Sequence, residues 1–272
     1  MPTASEVFAA AAEQRRMTFM PFITAGDPDL ATTAQVLQGL AESNVDLIEL
    51  GFPYSDPIAD GPVIQASYTR ALGAGVTVDE IFRMLEELPT DKMPPILAMV
   101  SFAIIFRFGI DEFLKRAADS GFCGLIVPDL PAEEAEDFAD RATQHQLDIV
   151  QLIAPTTTPE RSETILNAAH GFVYCISVAG TTGVRNALPA ELSEQLRGLR
   201  KRTSLPLAVG FGISSPDQVE TLRGVADGII VGSAIVRLIA EADSPLAAVE
   251  AVKDFSTRMN TAVAAVAPST GR

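Results

Sequence analysis

The chain has no tryptophan, three tyrosines, two histidines, two cysteines and four lysines in 272 residues. Each scarcity removes a class of function. With no tryptophan and so little tyrosine, there is poor equipment for stacking on polysaccharide, which weakens a two-carboxylate glycosidase. Cys123 and Cys175 lie far apart and match no zinc spacing. Each sits in or beside an apolar strand, the pattern of a buried thiol in a reducing compartment. His145 and His170 fall at the ends of helical segments, away from predicted strand ends. That argues against a histidine-rich metal site and against the usual electrophile of sugar-phosphate isomerases. Lys92, Lys115, Lys201 and Lys253 also avoid strand ends, so a Schiff-base aldolase is not expected.

No stretch approaches the ~18 apolar residues of a membrane span. The N-terminus has no basic region followed by an apolar core, so a signal peptide is not expected and a cytoplasmic location is. Positive charge is scarce too. Twenty Lys and Arg against 35 Asp and Glu leave a net charge of −15. Nucleic acid and anionic membranes are therefore poor partners. An anionic substrate would have to be held by local dipoles, not by the global field.

Core-forming residues are abundant: hydrophobic residues make up 47% of the chain, and mean hydropathy is +0.23. Apolar runs bounded by turn signals predict strands at Phe19–Thr24, Val45–Leu50, Ile96–Val100, Gly124–Val127, Asp148–Ile153, Phe172–Ser177, Leu205–Val209 and Asp227–Val231. Helical patterns lie between them, and Ser5–Arg16 predicts an extra N-terminal helix capped by Ser5. The region Val63–Glu87 reads as helical with a break near Gly73 to Gly75. Eight strand-then-helix units imply parallel pairing and an α/β fold, a (β/α)8 TIM barrel, in preference to a doubly wound open sheet. One domain is expected over residues 1–272, with 268–272 a frayed tail. In such a barrel every strand-to-helix loop shares one face, where the chemistry sits.

The second strand and its loop stand out. Glu49 is a carboxylate near the end of an apolar strand, with Val45 and Leu47 on its own face. Buried and unpaired, such a group raises its pKa. Asp56 and Asp60 follow in a loop stiffened by Pro57, Gly61 and Pro62. Singly these acids read as turn formers or an edge residue; three around one strand end favour a site. Late in the chain come Gly180-Thr-Thr-Gly183, Gly210-Phe-Gly212 and Gly232-Ser233, none with a basic residue. One such loop is an ordinary turn. Two after the seventh and eighth strands suit phosphate held by backbone N–H groups at a helix start. Phe22, Phe52, Tyr174, Phe211 and Ile230 are candidates to line an apolar side, although core packing is the default for each. The combined reading is carboxylate proton transfer on a small phosphorylated molecule with an apolar part.

Four segments carry a closer likeness: Pro21-Phe-Ile-Thr-Ala-Gly-Asp-Pro28, Glu49-Leu-Gly-Phe-Pro-Tyr-Ser-Asp-Pro-Ile-Ala-Asp-Gly-Pro62, Gly124-Leu-Ile-Val-Pro-Asp-Leu-Pro131 and Gly210-Phe-Gly-Ile-Ser214. In order, over roughly Phe19 to Val236, they resemble the tryptophan synthase alpha chain family. The resemblance implies cleavage of indole-3-glycerol phosphate to indole and glyceraldehyde 3-phosphate. It implies no cofactor or metal in this chain, and a pyridoxal-phosphate-containing beta chain as partner in an alpha2-beta2 heterotetramer. It makes Glu49 the acid–base group and Asp60 the residue facing the indole N–H. Thr182 would belong to a mobile loop, and Gly183, Gly212, Gly232 and Ser233 to a phosphate cradle. Tyr174 and Phe211 map onto the indole pocket, and Pro53, Asp56 and Asp129 onto the partner face. The segment Met99-Val-Ser-Phe-Ala-Ile-Ile105 departs from the family's polar pattern after the third strand. A free-standing lyase and a mainly regulatory subunit are the competing functions.

Overall fold

Eight parallel strands close into a barrel in chain order, the first pairing with the last in the computed structural model. They are β1 (Thr18–Thr24), β2 (Ile48–Gly51), β3 (Ile96–Met99), β4 (Phe122–Ile126), β5 (Asp148–Ile153), β6 (Val173–Ile176), β7 (Leu207–Gly210) and β8 (Gly228–Val231). The structure describes residues 2–57, 60–89, 92–176, 190–210, 212–266 and 268. The expected barrel is thus formed, and most strand bounds move by a residue or two.

Helices α1 (Ala4–Glu13), α2 (Leu30–Glu42), α3 (Pro62–Gly73), α4 (Val78–Glu86), α5 (Phe102–Phe108), α6 (Ile110–Asp119), α7 (Ala135–Gln144), α8 (Pro159–Ala168), α9 (Ala190–Arg200), α10 (Ser233–Glu241) and α11 (Pro245–Ala264) fill the crossovers. Three local expectations are corrected. The cap of α1 is Thr3, not Ser5, because Glu6 three residues on returns the bond to the Thr3 N–H and completes a capping box. The segment after β3 is not a plain loop: Ser101 caps a seven-residue helix, α5. After β7 the chain forms a 3-10 helix, Pro216–Leu222, where an α-helix was expected. The break at Gly75 is as read, with a left-handed φ of 80° there.

Parallel strands covered on both faces bury every residue, and β1 does so throughout. Side chains alternate between two cores. Phe19, Ile23, Ile48, Leu50, Ala98 and Val209 face the helices. Met20, Phe22, Leu47, Leu97, Tyr174 and Ile230 fill the barrel interior. Two residues change sides relative to the sequence reading. Val45 precedes the regular strand and packs in the helix-side core, so only Leu47 shares the interior with Glu49. Phe52 also packs outward, with ring centroids 5.7 Å from Phe82 and 5.9 Å from Phe113, and is not a pocket residue.

Helix α1 stops the N-terminal end of the barrel. Phe8 enters the interior core with its ring centroid 5.1 Å from that of Phe172. The Ala4 N–H donates to Asp148 Oδ2 at 3.1 Å. A Cβ on Gly228 would lie 2.9 Å from the Phe8 ring, so the glycine makes room for the plug. Phe8→Ala should cost ~3–5 kcal/mol by leaving a cavity, a fall of roughly 10 °C in Tm for a chain this long. Differential scanning calorimetry reads it; a change below a degree would place α1 outside the cooperative unit.

Candidate active site

The register of β1, β2 and β3 sets Phe22, Glu49 and Leu97 side by side. All three point into the barrel, because each alternates with a helix-side neighbour. Glu49 is 2% exposed, and its Oε1 has no hydrogen-bond partner among the described residues. Burial, and secondarily the nearby Asp60 charge, push its pKa up to about 8. The expectation of a raised value therefore holds, and the shift exceeds the ~6–7 that acid–base work at neutral pH asks for.

Asp60 reaches the same chamber from the loop between β2 and α3. Its backbone N–H donates to the Pro57 carbonyl at 3.1 Å. Gln65 of α3 donates to the Asp60 and Pro57 carbonyls at 2.7 and 3.2 Å, pinning the return of the loop. Partial burial raises the Asp60 carboxyl to about 6, while a hydrogen bond from Tyr54 pulls the other way. The two acids thus differ: near neutral pH Glu49 is mostly protonated and Asp60 mostly ionised.

Helix α3 is riveted beside them. Thr24 and Ser67 hydroxyls meet at 2.6 Å, and Arg70 clamps the buried Asp27 with two bonds of 2.7 Å. This turns Tyr68 inward, where its hydroxyl is buried without a hydrogen-bond partner among the described residues. A Cβ on Gly51 would lie 2.6 Å from the Phe22 ring and 3.0 Å from the Tyr68 hydroxyl. Gly51 is therefore required by close approach. Gly210 plays the same part opposite, where a Cβ would collide with the Tyr174 ring and hydroxyl. Sequence reasoning found Tyr174 but missed Tyr68, which looks in sequence like any apolar-face residue of a helix.

The near end of Phe22 lies against Gly232, 3.4–3.6 Å from where a Cβ would be, and its far end against Gly51. One ring therefore joins the acids to the start of α10. There Gly232 caps without a side-chain bond and Ser233 is exposed. Gly212, at φ 88°, is exposed after β7, its carbonyl accepting from Gln218 at 3.3 Å. Ile230 is in the interior core. Apolar interior side chains thus run from an acid pair at one end to a helix N-terminus at the other.

A tryptophan synthase alpha chain family model matches residues 8–264. The chain belongs to that family. The alpha chain of Rhodopirellula baltica is 46% identical over 245 residues, 89% of this chain and 88% of that one. That of a Picosynechococcus strain is 44% identical over 97% of this chain and all of its own. Among solved structures, tryptophan synthase subunit alpha from Legionella pneumophila superposes with a TM-score of 0.88 at 33% identity, over 98% of this chain and 100% of that one. An aminoacrylate-bound tryptophan synthase from M. tuberculosis gives 0.85 at 29% identity, over 96% of this chain and 100% of that one.

As a tryptophan synthase alpha chain the protein is a lyase of tryptophan biosynthesis, cleaving indole-3-glycerol phosphate into indole and glyceraldehyde 3-phosphate. It works with a beta chain, which holds the pyridoxal phosphate; the alpha chain carries no cofactor. No group of three metal-ligating residues occurs among the described residues, and no described helix is long and apolar enough to cross a membrane. Cys123 and Cys175 are free and buried, and burial pushes the Cys175 thiol up to about 12.

Of the remaining sequence-predicted residues, Thr182, Gly183 and Phe211 lie outside the described residues, as do all of the expected mobile loop, 182–186, and most of the tail. Asp56 and Asp129 are exposed on the rim, while Pro53 is buried. Asp129 also has a local task. It accepts from the Ser101 hydroxyl at 2.6 Å and from the Phe102 N–H at 2.8 Å, tying the loop after β4 to the start of α5.

Proposed function

We propose that Glu49 performs both proton transfers of the lyase reaction and that Asp60 is its fixed anion. Protonated Glu49 gives its proton to ring carbon C3 of the indole, and positive charge develops at the ring nitrogen. Asp60, ionised, stabilises that charge. Glu49, now a carboxylate, takes the proton from the hydroxyl on the side-chain carbon bonded to C3. As the aldehyde forms, the electron pair of that carbon–carbon bond returns to the ring and neutralises the nitrogen. Glu49 ends protonated, ready for the next turnover. What supports this reading is one observation: two neighbouring carboxyl groups beside one apolar core, with environments that leave one mostly protonated and the other mostly ionised near neutral pH.

Phe22, Ile230, Tyr174 and Phe211 line the indole side. Gly183, Gly212, Gly232 and Ser233 hold the phosphate through backbone N–H groups and the N-terminal end of α10, which lets a dianion enter a chain of net charge −15. Thr182 lies in a segment that closes over the substrate. Pro53, Asp56 and Asp129 meet the beta chain in an alpha2-beta2 heterotetramer in the cytoplasm, and residues 1–272 act as one unit. A partner seated on the exposed Asp56 holds the Asp60 loop still, and misplacing a catalytic group by about 1 Å can cost ~10²-fold. Indole release should therefore rise ~10²-fold across a beta-chain titration, with Asp56→Ala needing more partner to saturate. A free chain that is already fast, and indifferent to saturating beta chain, would instead be a free-standing lyase.

A further inference from the structure

All three tyrosines of the chain gather around the acid pair, and two of them, Tyr54 and Tyr68, have no part in the mechanism above. Tyr174 and Tyr68 are buried in the interior core. Tyr54 is half-buried on the loop that carries Asp60, its ring centroid 5.4 Å from that of Tyr68. Its hydroxyl points at Asp60 Oδ2 across 3.5 Å. Catalytic hydrogen bonds are often this long outside the Michaelis complex and tighten within it.

We propose that Tyr54 is a positioning residue for Asp60, its hydroxyl donating to the carboxylate and keeping it ionised and aimed into the chamber. The inference rests on the reading of Asp60 as the fixed anion. Three observations carry it. The Tyr54 ring is held by Tyr68, and Tyr68 sits on a helix fastened to β1 through Ser67 and to the turn after β1 through Arg70. The hydroxyl is thus presented from a rigid support, whereas along the chain Asp60 is six positions away from Tyr54. Second, the charged and phenolic groups that interact with Asp60 or Tyr54 are all acidic or phenolic. They are Asp56 on the same loop, Glu49 on β2, Tyr68 on α3, Tyr174 on β6 and Asp129 after β4. No cation is among these groups, so the Tyr54 hydroxyl is the hydrogen bond that opposes desolvation of the carboxylate. Third, burial, then the charge of Asp60, hold the Tyr54 phenol far above its ordinary range, so the donor stays protonated throughout the working pH.

The sign follows directly. A donor that favours the ionised form lowers the carboxyl pKa. Without it, Asp60 holds its proton to higher pH and the acid limb of turnover moves up. Tyr54→Phe keeps the ring and its packing and removes only the hydroxyl. In the complex with saturating beta chain, the acid limb of kcat for indole release should rise by about 0.5–1 pH unit. Turnover near pH 6 should fall ~2–5-fold and recover to within about twofold at pH 8.5. KM should hardly change.

A second readout does not depend on catalysis. In the full chain labelled with ¹³C at aspartate carboxyl carbons, the signal absent from Asp60→Asn is that of Asp60. Its titration midpoint should move up in Tyr54→Phe by the same amount as the kinetic limb. An unmoved Asp60 midpoint overturns the proposal, as does a uniform loss of turnover at every pH with the limb in place. If the midpoint moves but the kinetic limb does not, the Tyr54 contact stands and the assignment of Asp60 as the reacting anion falls.

Discussion

Glu49→Gln lowers indole release by about 10⁴-fold while the fold is retained. Loss of one general acid–base step costs ~10²–10⁴, and on the present reading a single carboxyl serves two. Glutamine keeps the shape and cannot give or take the proton. Single-turnover formation of indole from indole-3-glycerol phosphate, with and without beta chain, measures it. A variant within tenfold of the parent would remove Glu49 from the chemistry.

The same substitution has a thermodynamic signature of opposite sign. The native carboxyl titrates near 8, against a reference value of 4.5. The native state therefore holds the proton that the unfolded chain releases, and stability falls as pH rises from about 4.5 through about 8. Ionising the buried group by pH 8 costs roughly 4 kcal/mol at 1.36 kcal/mol per pKa unit. A buried amide without partners gives back ~1–3 kcal/mol of that. Glu49→Gln should therefore be about 2 kcal/mol more stable than the parent at pH 8, with the advantage gone near pH 5. Urea denaturation at both pH values tests this. An equal difference at the two would mean that Glu49 titrates normally in the native state.

Ser233→Asp raises KM for indole-3-glycerol phosphate ~10²–10³-fold and leaves the fold slightly more stable. A carboxylate at the first residue of α10 suits the helix dipole, worth ~0.3–1 kcal/mol. It also occupies the place proposed for the phosphate. Two negative charges about 4 Å apart repel by ~4 kcal/mol at an effective dielectric constant near 20, so binding fails although helix and barrel gain. Ser233→Ala keeps the backbone N–H groups and should raise KM only several-fold. Gly212→Asp is a less clean probe, since φ of 88° strains any side chain there. Binding of indolepropanol phosphate by calorimetry separates affinity from turnover. Unimpaired binding by Ser233→Asp would move the phosphate site away from α10.

Both results bear on how an acidic protein accepts a phosphorylated substrate. On the proposed reading helix N–H groups hold the anion without lysine or arginine, and among the described residues burial and the charge of Asp60, not a cation, act on Glu49. The same economy of charge leaves Asp60 dependent on a neutral donor, Tyr54.

Much was legible in the residues alone because periodicity and composition act locally. Alternating apolar runs and helix-spaced faces require eight βα units, and eight parallel units of this length close on themselves. β5 is read to the residue, Asp148 to Ile153, since polar turns bound it on both sides. A carboxylate in an apolar strand is conspicuous wherever it occurs, so Glu49 and the glycine-bearing strand ends stand out unaided. Other features depend on what lies across the barrel. Val45 belongs to the helix-side core because β2 is regular only from Ile48 to Gly51, whereas Phe52 faces outward by continuing the alternation of Ile48 and Leu50. The segment after β3 winds into α5 because Asp129, 27 residues beyond Phe102, accepts the N–H at its start. Tyr54 and Tyr68 are 14 positions apart with no pattern joining them; the loop folding back over α3 brings their rings together beside Asp60. The sequence by itself determined the strand count, the parallel pairing and the identity of the buried acid, since these follow from each residue's neighbours in the chain. Tertiary structure alone decided which faces turn inward at irregular positions, and which distant groups set the charge of Asp60. Those outcomes come from desolvation and hydrogen bonds between segments that only barrel closure brings together.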